Sequence, residues 1–199
     1  MSETLAPTVA ESPHHPIDVV VGDDLDRSRI TVFFRLLLAI PHFVVLVLWG
    51  TLVALLAIVG WIVAIFTGRL PGGLHRFFSS FLNYATRVTG YVALLSNPFP
   101  PFGGGGPYSV NVDVDPPADQ SRLGILFRIV LAIPALFLAY VFRLGLQIAA
   151  FLGWFYCLAT GRMSGGLQNL GTYCLRYETQ TYGYLLLLTS RYPSLSGIS

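Results

Sequence analysis

The sequence contains no lysine; all twelve of its basic residues are arginine. Charge of either sign is scarce, at 11% of residues. A soluble domain carries about 25%, so these charges are too few to cover a globule in water. The net charge is only +2, and the arginines are scattered rather than clustered, which argues against a nucleic-acid partner. Cysteine is limited to Cys157 and Cys174. Their spacing suits neither a zinc knuckle nor a redox pair, and both are expected to act as small packing residues. No Ser/His/Asp order, His-Glu-x-x-His motif or paired glutamates occur. His42 and His75 are separated by an apolar run and have no histidine counterpart 93 residues later. No catalytic residue, metal site or cofactor is therefore expected. The first thirty residues lack the apolar run of a secretory signal. Residues 1–14 read as a disordered tail, and the N-terminus is expected in the cytoplasm.

What the chain has in abundance is apolar residues, 54% of the total, giving a mean hydropathy of +0.65. It also has a repeat. At an offset of 93, residues 15–100 align with 108–193 without a gap, and 28 of the 86 pairs are identical. The match keeps arginine, glycine and proline in register: Arg29, Arg35 and Pro41 with Arg122, Arg128 and Pro134, and Gly60-Trp61 with Gly153-Trp154. Thr67-Gly68-Arg69 and Gly72-Gly73-Leu74 pair with Thr160-Gly161-Arg162 and Gly165-Gly166-Leu167. Chance similarity between apolar stretches would not preserve these positions. Residues 101–107 form a Gly/Pro linker between the copies, and 194–199 a tail.

Each copy opens with alternating apolar residues, Ile17–Val21 and Val110–Val114, which predicts a strand. Two such strands are expected to pair into an antiparallel ribbon. Either Asp26 or Ser28, and in the second copy Asp119 or Ser121, can cap the helix that follows. Arg29–Ile40 fits an interfacial amphipathic helix, which Pro41 then breaks or restarts. Pro41–Phe66 is an uncharged run long enough to span a bilayer. Leu74–Leu95 is also long enough, although Arg76, Ser80, Asn83 and Arg87 form a polar stripe along it. In the second copy, Glu178 is the one acid in a presumed span, with Arg143 or Arg176 as a partner. The expected class is an all-α membrane protein of four transmembrane helices. They form two tandem parallel repeats, each preceded by a short strand and an interfacial helix. An even number of spans per copy places both termini on one face, and the arginine distribution makes that face cytoplasmic. The expected location is the plasma membrane.

The Arg-x5-Arg-x-x-Leu-Ala-Ile-Pro elements, the Thr-Gly-Arg-x-x-Gly-Gly-Leu elements and Asn97-Pro-Phe-Pro-Pro-Phe102 resemble a bacterial family, common in actinobacteria, of duplicated membrane proteins of unknown function. That resemblance covers residues 15–193 and implies no catalytic residues.

The candidate contacts for a lipid head group or anion are Arg35, Arg69, Gly72, Gly73, Arg128, Arg162, Gly165 and Gly166. Glycines before a helix expose backbone N–H groups, and a nearby arginine adds positive charge. A helix–helix turn with an interfacial arginine is the competing reading of the same motif. Arg35 and Arg128 are expected to be structural anchors, with lipid phosphate preferred as their partner. The function these features suggest is a non-enzymatic accessory subunit or scaffold packing on a larger membrane complex. The alternative is a small transporter, channel or lipid-handling protein. Membrane lipids and another membrane protein are the expected partners.

Overall fold

The computed structural model describes residues 15–22, 24–102 and 108–195. The expected tail at 1–14 and most of the linker and C-terminal tail lie outside them. The order is β1 (Ile17–Val21), α1 (Arg29–Thr67), α2 (Gly72–Val92), β2 (Val110–Val114), α3 (Arg122–Thr160) and α4 (Gly165–Leu185). Every element of the first copy recurs in the second, 93 residues later.

Both strands have the predicted bounds. They pair antiparallel, Ile17 opposite Val114 and Val19 opposite Val112, as expected for a ribbon. Ile17, Val19, Val110 and Val112 face the core, and the residues between them point away. At the base of the ribbon the buried His15 ring accepts the Ile17 N–H at Nδ1, 3.1 Å away.

The helices correct the sequence reading at Pro41 and Pro134. Neither proline breaks the chain: the expected interfacial helix and the following span are one continuous helix of 39 residues in each copy. Proline removes one hydrogen bond and crowds the preceding turn, a local defect. One stripe of buried residues, Val32, Arg35, Ala39, His42, Val53, Gly60 and Ala64, runs along α1 on both sides of Pro41 and holds it against its neighbours. Gly68 and Gly161 end the long helices in the left-handed conformation, at φ 78° and 75°, as a C-terminal glycine should. Gly72-Gly73 and Gly165-Gly166 form the first turn of α2 and α4.

The short helices end in a more strained way. Leu94 and Leu187 adopt φ 65° and 61°, unusual for residues with a β-carbon. Each sits in a bend closed by bonds from Leu95 N to Gly90 O (2.9 Å) and from Leu188 N to Gly183 O (3.0 Å). Burial of Leu94 and Leu187 to 1% exposure offsets the backbone cost.

The two copies interleave. Arg27 N donates to Gly161 O and Gln120 N donates to Gly68 O, both at 2.8 Å. The start of each long helix thus lies beside the end of the other, so α1 and α3 run in opposite directions. This differs from the same-direction long helices that four spans in parallel repeats would give. A two-fold axis parallel to α1 would have produced an α3 running the same way, so the axis is perpendicular to both. Residues that meet their own counterpart mark where it passes: Val19 with Val112 in the ribbon, and Thr86 with Thr179 between α2 and α4, their hydroxyls 3.1 Å apart. The strands cross over as well, β2 packing on α2 and β1 on α4.

The result is three layers: the ribbon, then α2 and α4, then α1 and α3. Their solvent exposure differs sharply. α1 and α3 each expose seventeen large apolar side chains, α2 none, and α4 only Leu170 and Tyr182. Among the described residues, two helices, α1 and α3, are long and apolar enough to cross a membrane, where four were expected. The polar stripe of α2 explains part of the difference. Asn83 accepts Val112 N, and Arg87 donates to Val110 O and Asn111, so the stripe is the platform for a strand.

Candidate functional site

The residues singled out from the sequence fall into two unconnected groups. Arg35 and Arg128 are 2% exposed and lie in equivalent places. Each projects from a long helix onto the C-terminal end of the short helix in its own copy. Arg35 Nη1 donates to Tyr91 O (2.6 Å) and Ser96 O (3.0 Å), and Arg128 Nη1 to Tyr184 O and Thr189 O (both 2.9 Å). Each guanidinium also lies over a tyrosine ring, with 4.4 Å to the centroid of Tyr91 or Tyr184. A cation at a helix C-terminus faces the negative end of the dipole and carbonyls that have no intrahelical donor. The preferred lipid-phosphate partner is therefore replaced by backbone carbonyl. The guanidinium is too deeply enclosed to reach a head group.

Position 27/120 completes this arrangement with two different residues. Arg27 Nε donates to Leu94 O (3.2 Å), and Gln120 Nε2 to Leu187 O (2.8 Å). Each thereby holds the carbonyl of a left-handed leucine. In the second copy Gln120 also accepts from Arg128 Nη2 at 2.6 Å. The sequence reading missed this position because the two copies differ there. Its only signal was a long donor side chain two residues before each long helix.

The second group lies at the two ends of the long-helix layer. Arg69 joins Thr67, Gly68, Asp119, Gln120, Ser121 and Arg122 around an open groove. At the opposite end, Arg162 Nε meets Asp26 at 2.9 Å, and Arg29 donates to Ala159 O at 3.0 Å. Gly72, Gly73 and Gly165 have open space where a β-carbon would stand, and Gly166 has only Ser164 Oγ, 3.9 Å away. They are exposed first-turn positions that leave backbone N–H groups accessible. The structure thus separates the eight candidates: two buried arginines, and two polar corners about one helix length apart.

Two further features appear in one copy only. Arg143 of α3 pairs with the buried Glu178 of α4, donating from Nε at 3.0 Å and also from Nη2. Arg176, the other partner considered for Glu178, pairs instead with Asp18 on β1. Arg143 also lines a cavity of about 370 Å³ between α1, α2 and α3, with Phe43, Leu46, Val88, Leu146 and Gln147 among its walls. His42, in the first copy, hydrogen-bonds Tyr84 at 2.7 Å and packs against Phe99 and Phe102. Among the described residues no three His, Cys, Asp or Glu side chains are grouped to hold a metal.

These features define a duplicated helical protein with an interleaved pseudo-two-fold and two long apolar helices. Residues 29–103 and 122–196 each match a family described as a domain of unknown function (DUF4389), and the chain belongs to that family, carrying the domain twice. The two matches are themselves 93 residues apart. No curated protein and no solved structure matches the chain.

Proposed function

We propose that the chain is a non-enzymatic membrane component, a scaffold or accessory subunit held in the bacterial plasma membrane by its long-helix layer. The observation that carries this is the exposure of α1 and α3. Of the most apolar eighteen-residue windows, only 11% in α1 and 28% in α3 is buried. A helix this apolar at the core of a soluble protein would be mostly buried. Contiguous apolar surface on this scale marks a membrane or protein contact, and the length and hydropathy of both helices favour lipid as the cover. The polar side chains within the fold are engaged in holding it together: Arg35 and Arg128 on helix ends, Arg143 on Glu178, Arg87 and Asn83 on β2. Purification from native membranes in mild detergent tests the proposal. A stoichiometric protein partner is expected. Recovery of the chain from the soluble fraction without detergent defeats the membrane reading, and migration alone in detergent defeats the accessory-subunit reading.

One observation favours a second reading, a lipid-handling protein: the cavity beside Arg143 is lined by apolar side chains with a guanidinium and the Gln147 amide at its wall. Copurifying lipid that is lost on replacing Val88 with tryptophan would select this reading over the first.

A further inference from the structure

The interleaved fold also determines how the long-helix layer meets lipid. We infer that α1 and α3 lie flat within one leaflet, long axes in the membrane plane, with the pseudo-two-fold along the membrane normal and the ribbon in water. The inference rests on the membrane reading above and replaces the spanning arrangement within it.

Three observations carry it. A 39-residue helix is about 58 Å long, nearly twice the roughly 30 Å of a hydrocarbon core. Its apolar exposure does not fade towards the ends, as it should where a span leaves the bilayer. Ile30 is 74% exposed and Phe66 73%, against 69% for Leu48 at the centre. Most decisive is the ribbon. It sits on the two-fold axis, on the far side of α2 and α4 from the long helices. If α1 and α3 crossed the membrane, the axis would lie in the bilayer plane and the ribbon at mid-depth facing lipid. The outward residues of the ribbon include the exposed Asp113, whereas Asp18 opposite it pairs with Arg176, and Asn83, Arg87 and Gln180 bond backbone groups of the strands. An exposed carboxylate such as that of Asp113 is costly in hydrocarbon. Turning the axis along the normal puts the ribbon in water and the thirty-four exposed apolar side chains of α1 and α3 in acyl chains. Charge at the margins of the layer fits this seat. Arg29 and Arg162 stand at one end and Arg69 and Arg122 at the other, level with the anionic head groups of the same leaflet.

Depth measurements decide between the two seats. Single-cysteine variants Ile30→Cys, Leu48→Cys, Phe66→Cys and Val20→Cys are made with Cys157 and Cys174 replaced by alanine. Each is labelled with a small fluorophore and reconstituted in phosphatidylethanolamine/phosphatidylglycerol vesicles, with bromine at successive depths along the acyl chain. The expected result is one quenching depth for positions 30, 48 and 66, equal to within about twofold in quenching ratio, and no chain quenching at position 20. A probe at 48 near the bilayer centre, with 30 and 66 at opposite head-group regions, would overturn the inference and leave the membrane reading standing. Absence of chain quenching at all four positions would overturn both.

Discussion

Gly183 on α4 gives up its side-chain space to Ile17 on β1: a β-carbon there would collide with Ile17 Cδ1 and stand 3.3 Å from Leu82 Cδ2. Ile17 is completely buried. The counterpart pair, Gly90 and Val110, is looser, with the nearest methyl 3.1 Å from a built β-carbon. Gly183→Ala is therefore expected to lower stability by about 1–3 kcal/mol, and Gly90→Ala by less. Adding Ile17→Val, which shortens the offending side chain, should recover part of the loss. Thermal unfolding in detergent micelles measures all three. Equal costs at positions 90 and 183 would show that the ribbon shifts freely on its platform.

Removing either buried arginine strands helix-end carbonyls away from water. Arg35→Gln and Arg128→Gln are each expected to cost about 2–4 kcal/mol, and the double variant to fall sharply in abundance in the membrane. Lysine should rescue poorly, because it cannot bridge two carbonyls while stacking flat on a tyrosine. Normal accumulation of the double variant with loss of partner binding would instead assign these arginines to a binding site.

Arg143 and Glu178 form a charge pair in a place where the first copy has Gly50 and Ala85. The fold therefore accommodates the neutral alternative. Arg143→Ala alone leaves the Glu178 carboxylate buried and unpaired, at an expected cost of about 2 kcal/mol, discounted because Arg143 is half exposed. The double variant Arg143→Ala/Glu178→Ala should recover most of that loss. Additive costs in the double-mutant cycle would contradict a coupled pair.

Burial lowers the pKa of His15 below its ordinary value of 6.5. The folded state then binds fewer protons than the unfolded one, so stability is retained above about pH 7. It should decline as pH falls through 6.5 towards the lowered value, and level off below it. His15→Phe should flatten this part of the profile. A profile unchanged by that substitution would place the acid sensitivity elsewhere.

Much of this architecture was legible in the residues. Alternation located both strands to the residue, and the 93-residue offset located the copies. Arg35 and Arg128 stood out because both copies keep them, although their partners are carbonyls 56 and 61 residues away, beyond any local pattern. Pro41 misled because proline weakens a helix without dictating that it end, and the buried stripe on both sides outweighs one lost hydrogen bond. The direction of α3 relative to α1 was not readable at all. A repeat states that two segments are alike and is silent on the axis that relates them. Likewise, the Asn83–Arg87 stripe signals only a polar neighbour, which turned out to be the other copy's strand.

The crossing-over of the strands has a consequence for stoichiometry. Each copy supplies the strand that covers the other's short helix and the loop that meets the start of the other's long helix. A chain carrying a single copy would leave both places bare and could satisfy them only by pairing with a twin. In this chain the connection through Asn97–Phe102 and the following glycines is a tether that makes that pairing intramolecular, at an effective concentration of order millimolar. Duplication has thus turned an equilibrium into a fixed composition. It has also freed the two halves to differ, which is how one half can carry Arg143 and Glu178 while the other carries His42.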